Sequence, residues 1–230
     1  MQRLTDFLGR RLAVCAFTVV VAAGALRAQA PAPDPNRWEP AIQKFEEADR
    51  VSPPAKGGIV FIGASSVVRW NLEQSFPDLN GIAINRGFGG SEMADAARYA
   101  ARIVVPYQPR VVVLYEGDND IGRGVAPEKV EADFEQFVTV VRGALPNARL
   151  VVIAVKPSLL RWSVYDNMKK ANALMRAYVE RHSGMNFVEV GPSMLGADGK
   201  PRPELYVADG LHMTPEGYKI WNRLVRPHLK

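Results

Sequence analysis

The sequence is poor in the residues that metal and thiol chemistry require. Its 230 residues include one cysteine, Cys15, and three histidines. Cys15 lies in an amino-terminal apolar run, so a chain processed after that run would contain no disulfide and no reactive thiol. A zinc site needs several histidines or cysteines at ligand spacing, which this sequence does not offer. We therefore expect neither a metal nor an organic cofactor.

Two further motifs are missing. The chain has no Gly-x-Ser-x-Gly sequence, which carries the nucleophile in the usual α/β-hydrolases, so that class loses support. It also has no basic block interleaved with aromatic residues, which argues against a nucleic-acid partner. The formal charge of +5 is concentrated at the amino terminus. There, four arginines and one aspartate in residues 1–30 give +3, so only +2 belongs to the rest of the chain.

Residues 1–30 have the pattern of an export signal. Arg10-Arg11 precedes the apolar run Leu12 to Leu26, and small residues follow up to Ala28 and Ala30. We expect cleavage after Ala28 rather than Ala30, because Pro31 would follow the second cut. The run is short for a permanent membrane span, although an uncleaved anchor and a twin-arginine export route are alternatives. The pattern predicts a periplasmic or extracellular protein with no stable membrane span after processing.

Residues 31–36 are rich in proline and predict a linker, which leaves 37–230 as one domain. Trp38, Ile42 and Phe45 recur at helical spacing and predict an amphipathic helix at its start. Short apolar, β-branched runs then alternate with helical segments, which is typical of an α/β fold with a buried parallel sheet. The predicted strands are Ile59–Ile62, Ile82–Ile84, Val111–Tyr115, Leu150–Val155 and Phe187–Val190. The predicted helices are Ser91–Val104, Pro127–Ala144, Val164–Arg181 and Pro215–Val225, the last with Thr214 as its N-cap.

Three of the predicted strands end in residues that suit an active site, because ligands of open α/β sheets bind at the carboxyl ends of the strands. Ser65 follows the first strand, where the alternative is an ordinary helix cap. Gly90 follows the second strand in a Gly-Phe-Gly-Gly sequence, which is also compatible with a flexible turn. Asn119 follows the third strand and could offer an amide donor, with Asp120 bracing its loop.

The histidines narrow the choice of a base. His182 lies at a helix end, where a structural role is the simpler interpretation, and His228 lies two residues from the carboxyl terminus. His212 has Asp209 three residues before it, close enough to bond one ring nitrogen and leave the other as a base. An Asp-x-x-His sequence is common by chance, so this pairing alone leaves the role open.

Taken together, these blocks resemble the SGNH hydrolases, also called GDSL-like lipases and acylhydrolases. Gly63-Ala64-Ser65-Ser66, Gly90, Asn119 in Gly117-Asp118-Asn119-Asp120, and Asp209-Gly210-Leu211-His212 match the four family blocks in order. The sequence departs from the family pattern at Ala64, where many members carry aspartate. The resemblance implies a flavodoxin-like three-layer α/β/α sandwich with a five-stranded parallel sheet in order 2-1-3-4-5.

The resemblance also implies a serine esterase. Ser65 would be the nucleophile, His212 the base and Asp209 its partner, while the Ser65 and Gly90 amides and the Asn119 side chain would form the oxyanion hole. The expected substrate is a small-molecule ester with a short acyl group, with acetylated carbohydrate as one candidate. Trp162 and Tyr165 could line its pocket or simply pack in the fold. An O-acyltransferase acting on cell-envelope glycans and a catalytically silent glycan-binding protein are the alternatives.

Overall fold

Five β-strands form one parallel sheet within residues 34–230, which are the residues that the computed structural model describes. The predicted signal peptide, Cys15 and the first residues of the linker lie outside them. The strand order is β2-β1-β3-β4-β5, and every neighbouring pair is parallel, as the fold prediction required. The strands are β1 Ile59–Gly63, β2 Ala83–Gly87, β3 Val111–Tyr115, β4 Arg149–Ile153 and β5 Met185–Val188.

Helices cover both faces of this sheet. Four of them follow the predicted segments closely: Met93–Ile103, Pro127–Ala144 and Tyr165–Glu180 between strands, and Pro215–Val225 after the last strand. The last of these begins as expected, with the Thr214 side chain accepting a hydrogen bond from the backbone N–H of Gly217. The helices of the described residues are α1 Glu39–Val51, α2 Ser65–Val68, α3 Leu72–Ser75, α4 Met93–Ile103, α5 Asp118–Gly122, α6 Pro127–Ala144, α7 Tyr165–Glu180, α8 Gly191–Met194 and α9 Pro215–Val225.

The strands are apolar without interruption because both of their faces are buried. Alternate residues of β1 point into two separate cores: Val60 and Ile62 into one, Ile59 and Phe61 into the other. The first core includes buried residues of α1, α4, α6 and α7, and the second includes residues of α2, α3, α8 and α9. This is the three-layer arrangement that continuous apolar strands favour.

Strand ends are where the sequence prediction was inaccurate. β2 continues to Gly87, three residues past the predicted end, because it pairs residue for residue with β1. β4 ends at Ile153 rather than Val155, and β5 runs from Met185 to Val188 rather than from Phe187 to Val190. Pairing with the neighbouring strand decides these ends, and hydrophobicity alone does not report it.

The carboxyl ends of β1, β2 and β3 lie level with one another. Gly63 is aligned with Gly87 on one side and with Tyr115 on the other. A side chain at Gly63 could not fit, because a Cβ there would lie 2.1 Å from the carbonyl oxygen of Tyr115. The three loops that follow these strands therefore open at one edge of the sheet, beside its topological switch point.

The last residues of the predicted linker contact the domain. Arg98 donates a hydrogen bond of 2.7 Å to the side-chain oxygen of Asn36, and the Tyr99 hydroxyl donates one of 3.2 Å to the carbonyl oxygen of Pro35. The compact unit accordingly begins at Asp34. Within this unit, we find no helix with the length and apolar character that crossing a membrane demands.

Candidate active site

Ser65 is the first residue of α2, directly after the tight turn that ends β1. Its hydroxyl does not cap the helix, since Ala64 holds the N-cap position and no side-chain cap is made. The hydroxyl instead lies 2.8 Å from Nε2 of His212. Ser66 differs, because it is buried and its carbonyl accepts a hydrogen bond from the Tyr218 hydroxyl. Of the two serines, the structure places only Ser65 against the histidine.

Asp209 holds His212 in place through both of its carboxylate oxygens. Oδ2 lies 2.6 Å from Nδ1 of His212, and Oδ1 accepts the backbone N–H groups of Leu211 and His212 at 2.9 Å each. The hydrogen bond from His212 is the main reason that the pKa of Asp209 lies well below its ordinary value, with the two backbone donors adding to it. An ionised Asp209 requires the proton on Nδ1, which leaves Nε2 free to accept from Ser65.

The loop after β2 passes beside the serine. A Cβ on Gly89 would lie 3.7 Å from the Cβ of Ser65, so this backbone borders the nucleophile directly. Gly90 has φ of +85°, a conformation that favours glycine, and Trp38 would lie 3.1 Å from any Cβ placed there. Backbone geometry and the nearby indole ring both require glycine at this position.

Asn119 lies on α5 and contacts the same loop. Its Nδ2 donates a hydrogen bond of 2.8 Å to the carbonyl oxygen of Ser91, the residue after Gly90. Asp120 braces α5 against α4, since its carboxylate accepts the backbone N–H of Met93. Burial, with the charge of Glu92 second, raises the pKa of Asp120 to about 7. The structure thus brings Ser65, the Gly90 loop and Asn119 together at one edge of the sheet.

Sequence reasoning missed a buried carboxyl group behind this loop. Glu116, at the end of β3, is 1% exposed, and its Oε1 accepts a hydrogen bond of 2.5 Å from the Ser91 hydroxyl. Its Oε2 has no hydrogen-bond partner. Burial, and then the charge of Asp120, raises the pKa of Glu116 well above its ordinary value. The Glu116 carboxyl group therefore fixes Ser91, whose carbonyl in turn holds Asn119.

A buried ionic group on the other side of Asn119 was also missed. Lys156, which has no exposed surface, pairs with Asp118 at 3.1 Å, and Arg161 contacts both Asp118 and Asn119. A lysine directly after the apolar segment Leu150–Val155 is the one signal that pointed here, because a charge at the end of a buried strand needs a partner.

Trp162 and Tyr165, predicted as substrate-binding residues, lie on the segment that leads into α7. Their rings stack 5.0 Å apart and line a cavity of about 700 Å³ beside α7 and the loop after β5. None of the residues lining that cavity belongs to the Ser65, Asp209 and His212 group or to the predicted oxyanion donors. Their part in substrate binding stays a prediction.

The remaining histidines make other contacts. His182 stacks on Tyr178 and its Nδ1 lies 2.6 Å from the Tyr178 carbonyl, while His228 is partly buried near the carboxyl terminus. Among residues 34–230, no cluster of three or more histidine, cysteine, aspartate or glutamate side chains is placed to hold a metal ion.

Comparisons with known proteins agree with this fold. Residues 63–220 match the model of the GDSL-like lipase/acylhydrolase family. The alpha1 subunit of platelet-activating factor acetylhydrolase IB from Bos taurus is 26% identical over 194 residues, which cover 80% of this chain and 78% of that protein. A GDSL-like lipase from Bacteroides thetaiotaomicron superposes with a TM-score of 0.68 at 19% identity, covering 82% of this chain and 96% of that one. An acetylxylan esterase from Geobacillus stearothermophilus superposes with a TM-score of 0.59 at 17% identity, covering 75% of this chain and 94% of that one.

The fold and the family match together define a class of enzyme, the carboxylic ester hydrolases, here with a parallel-sheet α/β fold. Within that class, the chain belongs to the GDSL-like lipase/acylhydrolase family, as the four sequence blocks predicted.

Proposed function

We propose that the protein hydrolyses short-chain carboxylic esters through an acyl-enzyme on Ser65. The observation that carries this proposal is the continuous chain of hydrogen bonds from Ser65 Oγ to His212 (2.8 Å) and from His212 to Asp209 (2.6 Å). A serine hydroxyl is a weak nucleophile until a base takes its proton, and an oriented neutral imidazole is such a base.

The steps follow from these contacts. Ser65 Oγ attacks the ester carbonyl carbon while its proton passes to His212 Nε2, and the carbonyl oxygen becomes an oxyanion. His212 then gives the proton to the leaving alcohol, the carbon–oxygen bond of the ester breaks, and the acyl group remains on Ser65. Water attacks this acyl-enzyme while His212 takes one of its protons. The bond between the acyl carbon and Ser65 Oγ then breaks, His212 returns the proton to Ser65 Oγ, and the carboxylic acid is released. Asp209 stabilises the charged imidazole that forms in each half-reaction.

The oxyanion is proposed to bind three donors: the backbone N–H groups of Ser65 and Gly90 and the side-chain amide of Asn119. Ser65 is the first residue of α2, so its N–H is not used inside that helix. The contacts of Gly89 with Ser65 and of Asn119 with Ser91 support a shared position for the three donors. Such donors act on charge that exists only in the transition state.

The acyl group is proposed to be short. Trp38 lies against Gly90, in the loop that borders the nucleophile, and a bulky ring beside that loop supports a small acyl group. Relatives named as acetylhydrolase and acetylxylan esterase are consistent with an acetyl group, at identities of 26% and 17%. Acetylated carbohydrate remains a candidate for the alcohol part, with the stacked Trp162 and Tyr165 as a candidate surface for a sugar ring.

A panel of esters tests this proposal. p-Nitrophenyl acetate, butyrate and octanoate, and acetylated xylooligosaccharides, would be offered to the protein and to Ser65→Ala as the matched control. We expect acetate to be hydrolysed with the highest kcat/KM and Ser65→Ala to lose the activity. Acyl transfer to an added sugar in place of water would identify an acyltransferase instead. Equal hydrolysis by Ser65→Ala would overturn the mechanism.

Export is proposed separately, from residues 1–30. Fractionation of the host cells should recover a shortened protein outside the cytoplasm. A full-length product in the cytoplasmic fraction contradicts this part of the proposal.

A further inference from the structure

We propose that Arg161 is a positioning residue that fixes the orientation of the Asn119 side-chain amide in the oxyanion site. Arg161 lies on the segment between β4 and α7, 42 residues away from Asn119 in the sequence. Its Nη2 donates a hydrogen bond of 2.9 Å to Oδ1 of Asn119, and its Nη1 donates one of 2.5 Å to Oδ1 of Asp118. This inference rests on the proposed function and adds a residue that neither the family blocks nor the predicted catalytic group includes.

Both the nitrogen and the oxygen of the Asn119 amide are hydrogen-bonded, and each of the two partners allows only one orientation of the amide. A guanidinium group has donors and no acceptor, so the atom of Asn119 that faces Arg161 must be the oxygen. The carbonyl of Ser91 has acceptors and no donor, so the atom that faces it must be the nitrogen. A flipped amide would lose both hydrogen bonds and would turn its oxygen toward the Ser91 carbonyl.

The consequence for catalysis concerns the second hydrogen of the Asn119 nitrogen. The first is bound by the Ser91 carbonyl, and this contact together with that of Arg161 on Oδ1 fixes the plane of the amide and the direction of the second hydrogen. Without Arg161, only the Ser91 carbonyl would oppose rotation of the amide, and a rotated amide would present its oxygen to the oxyanion, where it would repel the developing charge. Orientation of this kind matters because oxyanion donors contribute only when they are preorganised.

Arg161 is itself held by a buried ionic group. Asp118 is 5% exposed and also accepts hydrogen bonds from the Lys156 ammonium at 3.1 Å and the Tyr115 hydroxyl at 3.0 Å. Burial opposes the ionised form of Asp118, but the charges of Lys156 and Arg161 outweigh burial and lower its pKa.

The same segment touches the loop of the base. The backbone N–H of Leu160 donates a hydrogen bond of 3.0 Å to the carbonyl oxygen of Gly210, which lies between Asp209 and His212. The residues around Arg161 therefore contact both the oxyanion side and the base side of the site. A change at Arg161 that acted only by disturbing this segment would affect both sides, and the experiment must separate the two effects.

A double-mutant cycle makes this separation. Arg161→Met, Asn119→Ala and the double variant would be compared for kcat and KM on p-nitrophenyl acetate, with melting temperatures as a check of folding. We expect Arg161→Met to lower kcat by roughly 10- to 100-fold with little change in KM, because a misplaced catalytic group costs turnover. In the Asn119→Ala background the same substitution should change kcat less than about twofold, since its target is gone. Asp118 keeps Lys156 as a partner, so the fold should persist.

Arg161→Lys is the second variant. It keeps the charge beside Asp118, but a single ammonium does not reproduce a guanidinium that bridges two acceptors, so we expect most of the loss in kcat to remain. Arg226→Met is the matched control: this arginine also pairs with a carboxylate, Asp78, through two hydrogen bonds, and it should leave kcat unchanged.

The outcomes distinguish this inference from the proposed function. An unsubstituted protein that hydrolyses no ester would overturn the proposed function, and the role of Arg161 with it. Hydrolysis that continues with normal kcat in Arg161→Met or in Arg161→Lys would overturn the positioning role alone. Equal losses in the presence and absence of the Asn119 side chain would assign Arg161 to the general structure of the site instead.

Discussion

Glu116 makes the pH dependence of stability a direct test of the buried site. It lies at the end of β3 with one oxygen bonded to Ser91 and the other without a partner. Burial first, and the charge of Asp120 second, raises its pKa well above the ordinary value. The folded protein therefore keeps Glu116 protonated at pH values where the unfolded chain has lost that proton.

The sign of the effect follows from this difference. Below the unfolded pKa of about 4.3, both states are protonated and Glu116 imposes no penalty. As the pH rises, only the unfolded chain releases its proton, and the free energy of unfolding falls. The fall is about 1.4 kcal/mol for each pH unit until the pH passes the folded pKa. Glu116→Gln cannot ionise, so it should remove this slope and keep the hydrogen bond from Ser91.

Urea unfolding of the protein and of Glu116→Gln at pH 5, 6 and 7 measures the effect. The stability of the variant relative to the unsubstituted protein should rise with each pH step by about 1.4 kcal/mol, for as long as folded Glu116 holds its proton. Asp120, with a pKa raised to about 7, keeps its own slope in both proteins. Glu73→Gln, at an exposed position on α3, is the control and should leave the pH dependence unchanged. Identical pH dependence in Glu116→Gln and the unsubstituted protein would refute a neutral Glu116.

Substitutions at three positions test the site from other directions. Asn119→Ala should lower kcat by roughly 10²–10³-fold with little change in KM, and Asn119→Asp should be at least as damaging because it places a negative charge at the oxyanion; normal turnover in Asn119→Asp would exclude this donor. Gly90→Ala should cost about 1–2 kcal/mol of stability, measured by urea unfolding, because φ of +85° is strained for alanine and its methyl group would lie 3.1 Å from the Trp38 ring. Unchanged stability would contradict that geometry. Ser66→Ala should keep most of the esterase activity, since the hydrogen bond of Ser66 with Tyr218 uses its backbone carbonyl, which alanine keeps. Loss of activity would move the nucleophile by one residue.

The sequence predicted those parts of the molecule that depend on local pattern. Continuous apolar segments identify buried parallel strands, and Thr214 followed by proline identifies the start of α9. The strand order was implied by the family resemblance, and the structure confirms it. Ser65 and the pair Asp209 and His212 were candidates because each lies in a short motif next to a strand end or a helix start. The hydrogen bond between Ser65 and His212 joins residues 147 positions apart, which only the fold could bring together.

The groups that support the site were not predictable in the same way. Asp118 and Lys156 are 38 residues apart, and nothing in either segment indicates that they pair inside the protein. Trp38 was predicted as part of a packed helix, whereas its ring also lies against Gly90. These contacts depend on how loops from different strands fold over the sheet edge, and no local spacing records that.

Trapping of the nucleophile tests the central claim most directly. The protein would be treated with diisopropyl fluorophosphate and examined by intact-mass and peptide mass spectrometry, with His212→Ala alongside. The account predicts one phosphoryl group per molecule, located on Ser65, with loss of ester hydrolysis in proportion to labelling and much slower labelling in His212→Ala. A label on another residue such as Ser66, or full hydrolytic activity in protein labelled on Ser65, would contradict it.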